Sequence, residues 1–206
     1  MSDVVAGPSV APAPSVVVGE DGRARCRWGA SDPDYLRYHD EEWGWPLQGD
    51  QPLYEKLSLE GFQAGLSWIT ILRRRAGFRD VFHGFDPALV AAMGDDEVEA
   101  AMLDERIIRN RAKILATIKN AKLTLELTDD HPGALDELMW SFAPAPRAQR
   151  LHSMSEVPAI TDESIAMSKG LRKLGFGFVG PTTVYALMQS SGMVDDHVEG
   201  CWRADG

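Results

Sequence analysis

Apolar residues recur three or four positions apart along most of the chain, the spacing that gathers them on one face of an α-helix. The longest such run predicts an amphipathic helix over 106–127, with Ile107, Ile114 and Ile118 on its apolar face. Shorter runs predict further helices over 33–43, 53–59, 68–85, 135–142, 161–174 and 181–188. No alternating run of apolar and polar residues reaches a useful length, so the pattern predicts an all-α fold.

The first 22 residues differ from the rest of the chain. They are rich in Ala, Val, Pro, Ser and Gly, and Pro8, Pro12 and Pro14 break any helix there. They also lack the basic region that opens a secretory signal. We therefore expect a disordered tail over 1–22, one helical domain over 23–206 and a cytoplasmic location.

Composition and charge narrow the classes of function. With 206 residues, 44% of them hydrophobic, the chain can bury one sizeable core. No apolar run approaches the length of roughly 18 residues that a membrane helix needs. The net charge of -10 argues against a nonspecific nucleic-acid coat protein, because phosphate binding requires a basic surface, but it leaves room for a local basic face.

Residues 59–70 combine unusual chemistry in a short stretch. They read as the end of one helix, a tight turn and the start of the next, with Gly65 free to take a positive φ and Ser67 as the N-cap. Glu60 and Trp68 set a carboxylate beside an indole, which is what a pocket for a flat, cationic ring needs. The alternative is a buried Trp beneath a helix turn with Glu60 on the surface.

Two Cys and two His lie at opposite ends of the chain: Cys26, His39, His197 and Cys201. Together they make a complete Cys₂His₂ set for structural zinc and leave no open position for catalysis. His197 and Cys201 would share one face if they lay on a helix. Such a site would join the two chain ends, whereas two core thiols and two unrelated histidines form the alternative.

A glycine-rich hairpin at 175–180 separates the last two predicted helices. Gly180, Thr182 and Thr183 would present backbone N–H groups at a helix N-terminus, where phosphates bind. A plain connection that holds Phe176 and Phe178 in the core is the alternative.

Five separated motifs, in order, resemble the 3-methyladenine DNA glycosylase I (TAG) family. They are Cys26-Arg27-Trp28, residues 38–44, residues 59–68, the hairpin at 175–180, and Asp196-His197 followed by Cys201. The resemblance runs from about residue 25 to residue 201. It implies a helix-hairpin-helix DNA glycosylase fold and a monofunctional enzyme of base excision repair that removes 3-methyladenine from alkylated double-stranded DNA.

The resemblance also implies roles by position. Glu60 falls on the family's essential base-contacting carboxylate. The aromatic residues that hold the base correspond to Tyr38, Trp68, Trp28 and Trp43. The DNA contacts correspond to Gln63, Gly65, Leu66, Gly180 and Thr182. The ligands of one structural Zn²⁺ per chain correspond to Cys26, His39, His197 and Cys201.

Two departures from the family and two other functions stay open. Asp195 stands where the family is expected to have Asn, and it is either a spare carboxylate near the site or a helix cap. The N-terminal tail has no counterpart in the family. A non-catalytic binder of damaged DNA or of a free modified base would suit the same scaffold. A metal-dependent hydrolase is the third hypothesis. Four protein ligands argue against it, because they leave the metal no open position for a reaction. No lysine lies in 59–70, so we expect no lyase step. We also expect a monomer with no membrane partner, and the sequence implies no protein partner.

Overall fold

The structure is a computed structural model that describes residues 14–204, and it is mostly helical. The helices, in chain order, are α1 Pro33–Glu41, α2 Asp50–Gln63, α3 Trp68–Leu72, α4 Arg75–Val81, α5 Pro87–Ala91, α6 Asp95–Leu103, α7 Arg111–Thr128, α8 Ala134–Trp140, α9 Asp162–Lys173 and α10 Pro181–Ser190. Short 3-10 turns occupy His83–Phe85 and Met154–Glu156. Between residues 14 and 204, no helix is both long and apolar enough to span a membrane.

A two-stranded antiparallel ribbon corrects the all-α prediction. Strand β1 (Val16–Val18) pairs with β2 (Ala24–Cys26), and Val16 faces Cys26. Three-residue strands are too short to give a visible alternating pattern, which is why the sequence did not reveal them. The predicted tail therefore extends too far, because residues 16–18 are a strand, and residues 1–13 lie outside the described part of the chain.

Capping explains where the helices differ from their predicted bounds. The long helix α7 starts at Arg111 rather than at residue 106, because the Asn110 side chain accepts a hydrogen bond from Lys113 N at 3.1 Å. The predicted helix over 68–85 is divided into α3, α4 and a 3-10 turn in which Gly84 has a φ of 66°. Helix α9 matches its prediction within one residue at each end.

Helix α2 lies at the centre of the fold and packs against α3, α7, α8 and α10. Nearly all of its residues from Leu53 to Phe62 are buried, so both the core and the site are built around it. Helices α9 and α10 pack together and are joined by residues 174–180. In that connection Phe176 is buried, whereas Phe178 is 40% exposed and has a φ of 56°.

Candidate active site

A cavity of about 290 Å³ opens between α1, α2, α10 and the start of α3. Most of its wall is aromatic or apolar, with a few polar groups, as is usual for sites that bind small flat molecules. Its lining consists of Trp28, Tyr35, Tyr38, Trp43, Glu60, Gln63, Trp68, Met154, Ala186, Gln189 and Ser190. The structure thus brings together Glu60 and the four aromatic residues selected from the sequence.

The aromatic side chains hold one another in place. Trp28 packs edge-on against Trp43, with ring centroids 4.9 Å apart, and against Tyr35 at 5.6 Å. The tilted rings of Tyr38 and Trp68 are 5.4 Å apart. Because each ring is fixed by a neighbour, the cavity offers rigid π-faces to a ligand.

Glu60 is the buried carboxylate of the cavity, and only 3% of its surface is exposed. Ser190 Oγ donates a hydrogen bond to its Oε1 at 3.0 Å. Glu60 Oε2 and Trp68 Nε1 are buried, and neither has a hydrogen-bond partner among residues 14–204. Buried polar atoms are usually paired, so this acceptor and this donor are available to a water molecule or to a ligand group.

Burial raises the pKa of Glu60 to about 7, while Lys56 and the Ser190 hydroxyl act in the opposite direction. Lys56 lies one helical turn before Glu60 and is only 7% exposed. Its Nζ is 5.2 Å from the Tyr38 ring centroid and 5.5 Å from that of Trp68. A cation therefore lies beside both rings, close to the carboxylate. Sequence reasoning missed it, although the i, i+4 spacing on α2 was the available signal.

The probe turn, residues 63–66, starts at the last residue of α2 and leads towards α3. Leu66 N donates to Gln63 O at 2.6 Å, and Gly65 has the positive φ, 84°, that the turn requires. Leu66 is 43% exposed, and Gln63 lines the cavity. Ser67 occupies the N-cap position of α3, but its hydroxyl bonds to Thr70 Oγ1 at 2.9 Å instead of to the backbone.

The hairpin, residues 175–180, leads directly into α10. Gly180 is the N-cap residue and Pro181 the first helical residue, so the N–H groups of Thr182 and Thr183 belong to the first turn, which has no intrahelical acceptors. A Cβ on Gly180 would lie 3.7 Å from Arg172 Nη2, which places a guanidinium beside this helix end.

The four Cys and His residues selected from the sequence converge in one buried cluster, and their ligand atoms all lie within 4.8 Å of one another. Cys201 Sγ is 3.4 Å from His39 Nε2 and 3.6 Å from His197 Nδ1, and Cys26 Sγ is 3.7 Å from His197 Nδ1. Hydrogen bonds from Cys26, then from His197 and His39, lower the pKa of the Cys201 thiol, whereas the same contact with Cys201, together with burial, raises the pKa of Cys26. The two cysteines thus share one thiolate, the form that binds metals.

The second ring nitrogen of each histidine also has a partner. His39 Nδ1 lies 2.9 Å from Asp40 Oδ1, and His197 Nε2 lies 3.3 Å from the Trp43 carbonyl oxygen. Such outer partners fix the orientation of metal-binding imidazoles. His197 and Cys201 do not lie on a helix, since residues 192–204 contain none, and a turn brings the two side chains together instead.

Asp195 does not line the aromatic cavity. It borders a separate cavity near the connector after α8, forms an ion pair with Arg150 and accepts a hydrogen bond from His197 N at 3.1 Å. Neither of the two roles left open fits, because Asp195 does not line the base cavity and residues 192–204 contain no helix for it to cap. The neighbouring Asp196 is buried and accepts from Tyr185 Oη at 2.6 Å and from Gln189 Nε2 at 2.8 Å.

Sequence reasoning missed five residues that line the cavity: Tyr35, Met154, Ala186, Gln189 and Ser190. The last three lie at i, i+3 and i+4 on α10, so a helical-face argument for that helix would have grouped them. Tyr35 lies one turn before Tyr38 on α1. Met154 comes from a connector and carries no such signal.

Fold and site together define a helical protein that can enclose a flat, cationic ring between aromatic side chains and a carboxylate. The methyladenine glycosylase family model matches residues 28–204. DNA-3-methyladenine glycosylase 1 of Escherichia coli (strain K12) is 47% identical over 178 residues, which cover 86% of this chain and 95% of the relative. The DNA-3-methyladenine glycosylase of Haemophilus influenzae is 44% identical over 180 residues, covering 86% of this chain and 96% of that one.

Solved structures agree with these relatives. A crystal structure of 3-methyladenine DNA glycosylase I (TAG) superposes with a TM-score of 0.83 at 43% identity, covering 86% of this chain and 98% of the other. The TAG structure from Staphylococcus aureus that describes 3-methyladenine recognition gives a TM-score of 0.80 at 32% identity, over 86% of this chain and 95% of the other. The chain therefore belongs to the methyladenine glycosylase family, which confirms the resemblance drawn from its motifs.

Proposed function

We propose that this protein is a monofunctional DNA glycosylase that hydrolyses the N-glycosidic bond of 3-methyladenine in alkylated double-stranded DNA. It acts as a monomer in base excision repair. The observation that carries the proposal is the unpaired, buried Oε2 of Glu60 inside an aromatic cavity. Its curated relatives from Escherichia coli and Haemophilus influenzae carry the same activity in their names.

The cavity suits a methylated base better than a normal one. Methylation at N3 gives adenine a positive charge, and aromatic faces attract cations that are stripped of water. Tyr38, Trp68, Trp28 and Trp43 supply those faces. Glu60 Oε2 is free to accept a hydrogen bond from the base, and the carboxylate adds negative charge next to the cation.

The base must leave the helical stack before its glycosidic bond becomes accessible, at a cost of a few kcal/mol. The exposed Leu66 of the probe turn fills the gap that the base leaves, in the way that apolar wedges do between base steps. Bond cleavage leaves positive charge on the sugar, which the carboxylate of Glu60 stabilises, and water completes the hydrolysis to an abasic site.

The lining of the cavity supports hydrolysis without a lyase step. A lyase needs an amine that can reach the sugar carbon. Lys56 Nζ lies 5.2 and 5.5 Å from the ring centroids of Tyr38 and Trp68, but Lys56 borders a second cavity, and among residues 14–204 no lysine lines the base cavity itself.

The hairpin and the helix behind it supply the phosphate contact in this proposal. The backbone N–H groups of Thr182 and Thr183 and the dipole of α10 favour an anion at Gly180. Arg172, at the end of α9, adds positive charge at the same place. A local basic site of this kind lets a chain of net charge -10 hold DNA.

The Cys and His cluster fits zinc in the same proposal. Bonds of about 2.0 to 2.3 Å in a tetrahedron place neighbouring ligand atoms roughly 3.3 to 3.8 Å apart. Three of the four Sγ–N distances, 3.4, 3.6 and 3.7 Å, fall in that range, and all the ligand atoms lie within 4.8 Å of one another. Cys26, His39, His197 and Cys201 would hold one Zn²⁺, which joins the two chain ends and leaves no open position for a reaction.

The decisive experiment is release of free base from methylated duplex DNA by the purified protein. Wild type should release 3-methyladenine above a buffer control, and Glu60→Gln should release far less. A protein that binds the DNA and releases no base would be the non-catalytic binder, which has no need of a buried carboxylate.

A further inference from the structure

Lys113 on α7 holds the end of α2. Its Nζ donates hydrogen bonds to Phe62 O at 2.8 Å and to Ala64 O at 2.7 Å, and the side chain is only 7% exposed. The last carbonyls of a helix have no intrahelical donors, and a cation there also suits the helix dipole. Lys113 therefore fixes the backbone from which the probe turn departs.

Asn120, which also lies on α7, holds the hairpin. Its Oδ1 accepts from Gly177 N at 2.8 Å, and its Nδ2 donates to Gly177 O at 3.1 Å. Asn120 follows Lys113 by seven residues, two helical turns, so both side chains leave the same face of α7. A Cβ on Gly177 would lie 3.2 Å from the Ala116 Cβ, so the hairpin backbone lies directly on this face.

The two anchored segments also contact each other. A Cβ on Gly61, near the end of α2, would lie 3.3 Å from the Cβ of Phe178 in the hairpin. The Phe178 ring centroid is 5.9 Å from Lys113 Nζ. The probe turn and the hairpin therefore lie side by side over one face of α7.

We propose that Lys113 and Asn120 are positioning residues that set the spacing between the probe turn and the hairpin, so that both engage one duplex at the same time. This inference rests on the proposed function, in which Leu66 enters the duplex and Gly180 binds a phosphate. Neither side chain needs to touch DNA for this role. Two contacts on one rigid support reinforce each other, because making the first brings the second into place.

Directional hydrogen bonds suit this task better than apolar packing. Burying an ammonium and an amide is costly unless they are hydrogen-bonded, and here four hydrogen bonds reach backbone atoms of other segments. Thr124 is a matched control on the same buried face of α7. Its hydroxyl donates to Asn120 O at 2.8 Å, a bond within its own helix.

The test compares Lys113→Met, Asn120→Leu and Thr124→Val in the full chain. Binding to a duplex with a tetrahydrofuran abasic-site analogue is measured across a salt series, and binding of free 3-methyladenine is measured by tryptophan fluorescence. Lys113→Met and Asn120→Leu should each weaken duplex binding by roughly tenfold or more, the scale of a misplaced contact. Their loss of affinity for free base should be much smaller, because Gln63 is the one residue of the probe turn that lines the base cavity. The salt slope should stay at the wild-type value, and Thr124→Val should match wild type throughout.

Several results would overturn the proposal. A salt slope reduced by about one charge in Lys113→Met would make Lys113 a phosphate contact. Equal losses of duplex and free-base binding would show a general structural role. Unchanged duplex binding in both variants would also refute it. If Lys113→Met does not fold, Lys113→Gln, which keeps one donor group, should fold and show a smaller loss, and a wild-type affinity in Lys113→Gln would overturn the role.

Leu66→Ala and Gly180→Ala separate this inference from the proposed function. If both weaken duplex binding while Lys113→Met and Asn120→Leu do not, only the positioning role fails. If Leu66→Ala and Gly180→Ala leave duplex binding unchanged, the proposed DNA interface itself is wrong.

Discussion

The indole of Trp43 packs edge-on against the imidazole of His197, with ring centroids 4.6 Å apart, and His197 Nε2 lies 3.3 Å from the Trp43 carbonyl oxygen. Trp43 lines the aromatic cavity, and His197 belongs to the Cys and His cluster. The proposed metal site therefore forms the support of one wall of the base pocket, in addition to joining the chain ends.

Removing one ligand should thus affect stability and base binding together. Cys201→Ala should lose its zinc and lower the melting temperature by roughly 10 °C, because metal binding and folding are coupled. It should also weaken binding of free 3-methyladenine, since Trp43 rests on His197. Metal content per chain and thermal unfolding are the measurements. Full zinc content in Cys201→Ala would show that the ligand assignment is wrong.

Two carboxylates, Glu60 and Asp195, were candidates for the chemistry of base excision. The variants Glu60→Gln and Asp195→Asn test them against each other. Glu60→Gln should slow base excision by roughly 10²-fold or more, the scale of losing a preorganised charge. Asp195→Asn should cost little, because Asp195 borders a different cavity and is paired with Arg150. Single-turnover assays on the same methylated DNA make the comparison. The reverse order of effects would assign the chemistry to Asp195.

The burial of Glu60 should make the protein less stable as pH rises. Burial raises the pKa of Glu60 from 4.5 to about 7, so the folded state holds a proton that the unfolded chain releases between these values. Stability is thus lost through that window, by about 3 kcal/mol at most. Glu60→Gln should therefore unfold at higher denaturant concentration than wild type at pH 8 and at the same concentration at pH 4. A constant difference between the two proteins at both pH values would contradict this origin.

The same pKa should shape the pH profile of the reaction. Excision measured under kcat/KM conditions should fall as pH drops through about 7, because protonated Glu60 loses its negative charge. The charged Lys56 lowers the pKa of Glu60, so Lys56→Met should move the acid limb to higher pH, and Lys56→Arg should leave it near the wild-type position. An acid limb that does not move in Lys56→Met would show that Lys56 has no influence on Glu60.

Binding to undamaged DNA should be weak and sensitive to salt, because a chain of net charge -10 neutralises few phosphates. The proposed contact face includes Lys169, Arg172 and Lys173 at the end of α9. Arg172→Ala should reduce the slope of log K against log salt concentration by about one. Binding that is equal at low and high salt would rule out this phosphate contact.

The sequence alone determined the family, the predominantly helical fold, Glu60 with its aromatic neighbours, and the four Cys and His residues. These features are visible because helical periodicity is a local pattern and because the motifs consist of rare residue types at fixed spacing. Helix α9 was predicted within one residue, since Thr161 and the following acidic residues mark its start locally.

Only the tertiary structure decided the rest, because those features depend on residues distant in the chain. Lys56 is buried beside two aromatic rings because α1 and α3 cover α2 at that point. The sequence of α2 by itself does not predict this burial. Ser190 meets Glu60 across 130 positions. Asp195 follows α10, yet its side chain turns to Arg150 and away from the base cavity. Such contacts join residues far apart in the sequence, so they leave no local sequence pattern. The packing of the other helices around α2 creates them.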